Sequence, residues 1–171
     1  MKIHFSVIAV ILSLMILLSG CQKEDNHHEN QQSIAAVTND PRQNEQMVKL
    51  KVFSFDIDSD GKAESIELYV AAEQSGTGEI LWDDGQKWLL VVVDEDRYYP
   101  LYSELLQLGR LYFNVATTDG KEMPDIFALL SAGAGLKIIR YTFDKERKVF
   151  QKEISYDSGA INRYYTSIPS Y

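Results

Sequence analysis

The sequence predicts a mainly β fold, with antiparallel hairpins forming two blade-like or sandwich-like sheets and room for one short helix. Three observations carry this reading. Hydrophobic residues recur with a period near two through most of 47–171, the spacing of a strand with one buried face. Clusters of Asp, Gly, Asn and Ser separate these runs at hairpin intervals. A continuous apolar stretch, Trp88 to Val93, suits a strand covered on both faces.

The elements follow in order. Val48, Leu50 and Val52 alternate with Lys49 and Lys51, and the phase then moves to Phe53, Phe55 and Ile57. That shift predicts a β-bulge or a sheet edge. Ile66, Leu68 and Val70 make the next strand. After the apolar run, Asp94-Glu95-Asp96-Arg97 reads as a turn into 98–102. Further strands are predicted at 110–116, 126–130, 136–143 and 149–156. Gly133 and Gly135 close one hairpin, and residues 144–148 close another. The helix candidate is 100–108, where Leu101, Leu105 and Leu108 stand at helical spacing. Trp82-Asp83-Asp84-Gly85 is expected as a hairpin turn with a packing tryptophan.

Upstream of this domain, residues 1–20 hold one basic charge, Lys2, and a fourteen-residue apolar run from Phe5 to Leu18. A membrane span needs about 20 apolar residues, so this run suits a secretory signal peptide better. It ends Leu18-Ser19-Gly20-Cys21, which resembles the lipobox of bacterial lipoproteins. That resemblance implies cleavage before Cys21, lipid on its thiol, and a cell-membrane location facing outside the cytoplasm. Two acyl chains suffice for stable anchoring. Cys21 is the only cysteine in the chain, so the domain is expected to have neither a disulfide nor a thiolate site.

Residues 21–46 are rich in Asn, Gln, Glu, Asp and His and poor in large apolar side chains. Such a stretch buries too little surface to offset ordering and is expected to be a flexible tether. His27 and His28 fall within it as solvated residues. From Cys21 onward 16 Lys and Arg face 25 Asp and Glu, because Lys2 is the only charged residue before it; the formal charge is −9. With no basic run, this charge argues against nucleic acid and anionic headgroups as partners.

One segment carries chemistry: Asp56-Ile57-Asp58-Ser59-Asp60-Gly61-Lys62-Ala63-Glu64. Calcium takes six to eight hard oxygens, and alternating acids around a glycine reversal can converge on one ion. Lys62 could add only its carbonyl. The spacing also occurs in helical EF-hands, but those need a helix on each side, and here the flanks are strand-like. The loop therefore resembles those of FG-GAP and VCBS-type repeats, with a D-x-D-x-D-G-x-x-D core. Asp56, Asp58, Asp60 and Gly61 match, and Glu64 stands where that family carries Asp. The resemblance implies a calcium site of Asp56, Asp58, Asp60, Lys62 and Glu64 in a β-propeller-like unit. Glu67, on the outward phase of the next strand, is a weaker ligand candidate. The plain alternative is a solvated turn, since Asp, Ser and Gly are ordinary turn formers.

A faint echo follows about 60 residues on: Phe113-Asn114, Asp119-Gly120-Lys121 and Asp125 before another apolar strand. It divides 47–171 into two degenerate repeats meeting at Gly109 and Arg110.

The domain has no histidine and no cysteine, which removes Ser-His-Asp and Cys-His catalysis and the usual zinc ligand sets. Ser131-Ala132-Gly133-Ala134-Gly135 is expected to be a turn rather than a phosphate loop. An enzyme is therefore not expected. Three functions remain in order: a non-enzymatic calcium module, an envelope lipoprotein that binds a protein or glycan without calcium, and a carboxylate-dependent glycan hydrolase. Trp82, Trp88, Tyr156, Tyr164, Tyr165 and Tyr171 could contact such a partner, but in a β domain aromatics more often fill the core.

Overall fold

The computed structural model describes residues 32–43, 46–117, 123–133 and 135–159. These form nine strands and no helix. In chain order they are β1 (Gln32–Ala35), β2 (Met47–Phe55), β3 (Glu64–Ala71), β4 (Gly85–Asp94) and β5 (Arg97–Gln107). β6 (Gly109–Ala116), β7 (Asp125–Ala132), β8 (Gly135–Asp144) and β9 (Val149–Asp157) follow. β2 to β5 make a four-stranded antiparallel meander; β6 to β9 make a second, to which β1 adds an edge beside β9.

The alternation seen in sequence decides which faces meet. Ile66, Leu68 and Val70 of β3 and Trp88, Leu90 and Val92 of β4 pack against Leu111, Ile126, Ala128, Ile139, Tyr141 and Phe150 of the other sheet. The odd residues of the apolar run, Leu89 and Val91, turn the other way and cluster with Tyr69. β4 is thus covered on both faces, as its uninterrupted hydrophobicity predicts.

The boundary between the sheets is abrupt. Only Leu108, at φ 47°, separates β5 from β6. The next residue must be small, because a Cβ on Gly109 would lie 3.0 Å from the Cβ of Ala132. At its other end β5 starts beside Val37, whose backbone exchanges hydrogen bonds with Tyr98 at 2.8 and 2.9 Å. Val37 follows β1, one edge of the five-stranded sheet, and β6 is the opposite edge. β5 therefore runs from one edge of that sheet to the other, across its strands, as in orthogonal packing.

Two expectations are corrected here. The stretch 100–108 is strand, not helix. Val91 pairs with Pro100 and Leu90 with Tyr102, so a bulge at Leu101 breaks the period of two. Leu101 and Tyr102 are consecutive and both buried, whereas Leu105 and Leu108 are 61% and 68% exposed. Of the three leucines only Leu101 is buried, so their helical spacing marks no common face. The second correction concerns the tether. Part of 21–46 is built into the domain: Gln32–Ala35 forms β1, and Arg42 docks on the outer face of the first meander. Its guanidinium bonds Asp40 at 2.7 Å and Glu67 at 2.9 Å, and lies over the Tyr98 ring. Backbone pairing, a charge clamp and the packing of Ile34 and Ala36 against the core hold this segment, and one large and one small apolar residue are too few to make a strand pattern.

Most other expectations hold. β2 is a sheet edge, and it carries a bulge, though between Lys49 and Lys51 rather than at the phase change after Val52. Ala132 pairs with Gly135 across the glycine turn. Trp82 packs as expected, its ring stacked on Trp88 at 6.1 Å with the Arg110 guanidinium 3.8 Å from its centroid. Residues 82–85, however, do not form a hairpin turn; they end the long connection from β3 and lead into β4.

The strand assignment of 97–107 has a direct test. Leu101→Ala is expected to cost about 2–5 kcal/mol, the range for a buried leucine. Leu105→Ala is expected to stay within about 0.5 kcal/mol. Urea unfolding of both variants measures this; equal losses would restore the helical spacing.

Candidate metal centre

The acidic loop joins β2 to β3. β2 ends at Phe55 and β3 opens on Glu64. Between them the backbone reverses through two left-handed residues, Ser59 at φ 55° and Gly61 at φ 90°. The second is the glycine that the reversal requires. Ile57 is 2% exposed and belongs to the main core. It pins the loop from below, so the flanking aspartates turn outward together.

The carboxylates then organise the backbone. Asp56 accepts from the amides of Asp60 and Gly61, each at 3.0 Å. Asp58 accepts from Asp60 N–H at 3.1 Å, and Asp60 from Lys62 N–H at 2.8 Å. Glu64 reaches back to the Ile57 amide at 2.6 Å. One carboxylate oxygen each from Asp56, Asp58, Asp60 and Glu64 lies within 4.8 Å of the others. Two oxygens bound to one calcium at about 2.3–2.6 Å are at most about 5 Å apart, so this cluster could hold a metal ion. Acidic groups also gather on protein surfaces without one, and the spacing alone does not name the ion.

Glu64 differs from the three aspartates. It is 6% exposed. A cavity of about 10 Å³ beside it is walled by Val92, Tyr99, Phe143 and Phe150, space for about one water. Burial pushes its carboxyl above the ordinary range, and the charges of Asp58 and Asp94 push the same way against the Ile57 hydrogen bond. A buried carboxylate facing further acids is the electrostatic setting in which a cation is favourable.

The rim is closed by a contact that the sequence could not reveal. Lys62 bonds Glu95, in the β4–β5 turn, at 2.6 Å. Both side chains are exposed, and their hydrogen bond raises the lysine and lowers the glutamate. With its ammonium directed there, the side chain of Lys62 takes no part in the carboxylate cluster, and only its carbonyl stays a candidate ligand.

Glu67 belongs elsewhere. Burial would raise its carboxyl, but hydrogen bonds from Tyr69, Lys49, Arg42 and Ser65 outweigh that and hold it below the usual range. It anchors the Arg42 clamp on the outer face. Sequence reasoning missed that clamp because its members are scattered over Asp40, Arg42, Lys49 and Glu67.

The echo is visible only in part, since Asp119-Gly120-Lys121 lies outside the described residues. Asp125 opens β7 as Glu64 opens β3, is fully buried, and accepts a 2.6 Å hydrogen bond from the Thr142 hydroxyl. Cys21, the leader, His27, His28, Tyr164, Tyr165 and Tyr171 also lie outside the described residues. Of the remaining aromatics, Trp88 is buried and Tyr156 is 48% exposed. No helix among the described residues is long and apolar enough to cross a membrane. No family model matches the chain, and neither a curated protein nor a solved structure does.

Glu64 supplies a test in metal-free buffer. A carboxyl with a raised folded pKa favours the fold when protonated. That contribution is fully present below its unfolded pKa and is lost as pH rises through the folded value. Glu64→Gln is therefore expected to melt above the native chain at neutral pH, with the gap closing in acid. Thermal denaturation across pH measures it. A variant that melts lower at neutral pH would show that the ionised group stabilises the empty loop.

Proposed function

We propose that this protein is a lipid-anchored, non-enzymatic module outside the cytoplasm, and that its 56–64 loop binds calcium. The observation that carries the calcium reading is the convergence of Asp56, Asp58, Asp60 and Glu64 within 4.8 Å, on a loop tied at both ends to antiparallel strands. The ligands in this reading are one oxygen from each carboxylate and the carbonyl of Lys62, with water completing six to eight positions. Oxygen-only donors suit a hard cation, and the absence of histidine and cysteine from 47–171 disfavours zinc and copper. The anchor reading rests on Leu18-Ser19-Gly20-Cys21 after the apolar run. Together they give a compartment in which weak calcium sites are useful: extracellular modules bind with dissociation constants of about 10⁻⁴–10⁻³ M.

The role of the ion in this reading is structural. Charge repulsion and a buried Glu64 work against the metal-free loop, and a divalent cation turns both into attraction. The β2–β3 corner then becomes rigid, together with the β4–β5 turn that Lys62 and Glu95 join to it.

Calcium at about ten to one hundred times its dissociation constant is expected to stabilise the fold by about 1.4–2.7 kcal/mol, raising the melting temperature by about 4–12 °C. Asp58→Asn is expected to weaken binding by tenfold or more, about 1.4 kcal/mol. Titration calorimetry and thermal denaturation of the full chain, with calcium and with magnesium, test this. No heat and no shift would leave the loop a solvated turn.

A further inference from the structure

β5 carries one acid, Glu104, and it stands on the face turned to the other sheet. Beyond the bulge, Tyr102, Glu104 and Leu106 alternate on one side of the strand, opposite Leu90, Trp88 and Gln86 of β4. Tyr102, Leu90 and Trp88 belong to the main core, and Leu106 packs against it. A strand that served only to close this core would place an apolar residue at 104. An acid there breaks the local pattern, as residues of functional sites do.

A cleft of about 240 Å³ opens between the sheets at this point. Leu105 and Leu106 of β5 wall it on one side, Leu130 of β7 and Leu136 of β8 on the other, and Tyr102 and Glu104 reach into it. Tyr102 is 3% exposed, and its hydroxyl has no hydrogen-bond partner, since Glu104, though near, lacks the geometry for one. The hydroxyl of Tyr141, in the same core cluster, has none either. Burial pushes both phenols above their ordinary range, and Glu104 raises each further, so both keep their protons. A buried polar group left in this state costs free energy. Lys137, on the rim of the cleft, is paired with Asp157 at 2.9 Å. No cation among the described residues pairs with Glu104.

This chemistry selects a ligand. A carboxylate with no cation beside it calls for a positive charge. A phenol oxygen without a partner calls for an N–H or O–H donor, which a quaternary ammonium lacks. Leucine walls call for an apolar body. The volume lies below the about 300–1,000 Å³ of drug-sized sites and well above the roughly 30 Å³ share of one water, so that body is a single ring or a short chain. We propose that the cleft binds a small primary amine with an apolar body, its ammonium between Glu104 and the Tyr102 hydroxyl and its body along Leu105, Leu106, Leu130 and Leu136. The ammonium donates to the carboxylate and to the phenol oxygen, and charge-assisted bonds of this kind are the strong ones. The site is separate from the 56–64 loop, which meets the β4–β5 turn beyond the other end of β5.

The probe is phenethylamine, titrated by calorimetry into the full chain in detergent micelles, with empty micelles as the blank. It is expected to fill one site with a dissociation constant of about 1 mM or lower, an ordinary value for so small a ligand. Phenethyl alcohol and phenylacetate keep the ring and lose the positive charge, and each is expected to bind about tenfold or more weaker. Phenethyltrimethylammonium keeps the charge and loses the N–H donors, and is expected to bind about threefold or more weaker. Glu104→Gln is expected to weaken phenethylamine about tenfold or more and Tyr102→Phe about threefold or more. Glu146→Gln, which removes the same charge from the β8–β9 turn, is expected to leave binding unchanged. Glu104 and Glu146 are both exposed, so both variants are expected to melt with the native chain. The absence of saturable phenethylamine binding would overturn the proposal. So would equal binding of the alcohol or of the trimethylated form to the native chain, a comparison that needs no variant to fold. Undiminished binding to Glu104→Gln would overturn it too, because the amine would then sit on other acids.

Discussion

Everything in this fold depends on two antiparallel sheets pressing their apolar faces together. The chain has a single cysteine, so no disulfide within it can hold the sheets, and no helix among the described residues covers either face. Trp88, Tyr141, Phe150, Leu90 and Leu111, all essentially inaccessible to water, come from both meanders. Each sheet alone would leave this surface wet, and burial of apolar area is the dominant favourable term in folding. The two meanders are contiguous in sequence but cannot stand apart in space.

That dependence explains how the acidic loop is positioned. Ile57 sits in the shared core, and Glu64 closes over its edge beside Phe143 and Phe150 of the opposite sheet. The first residue of β3 thus answers to both sheets. A loop rich in turn-forming residues would otherwise sample many shapes. Here one apolar side chain and one buried carboxyl leave it few, and the aspartates arrive already facing one another.

Much of this was legible in the sequence because strands write their burial in alternation. The double-sided burial of β4, the edge character of β2 and the split near Gly109 could all be read from side-chain type alone. The acidic cluster was equally plain, since its four carboxylates lie within nine consecutive residues. What stayed hidden has physical reasons. A bulge at Leu101 breaks the period of two, and two exposed leucines beyond it stand at helical spacing without sharing its buried face. β1 is held by backbone hydrogen bonds to β9, which any residue can make, by a single large apolar side chain, Ile34, against the core, and by an arginine whose acceptors lie 2 and 25 positions away. Contacts between distant turns, such as Lys62 with Glu95, depend on how hairpins stack, and local pattern does not encode that.

The early start of the folded region also sets a length. Among the described residues strand pairing starts at Gln32, eleven residues beyond Cys21, rather than after 46. A chain of that length spans at most about 36–40 Å, against about 80–90 Å for the longer tether. With lipid on Cys21, the domain would be confined to a layer little deeper than its own width, and neighbours anchored in the same leaflet would meet at nearly the same height. The search for any partner in that leaflet would become largely two-dimensional.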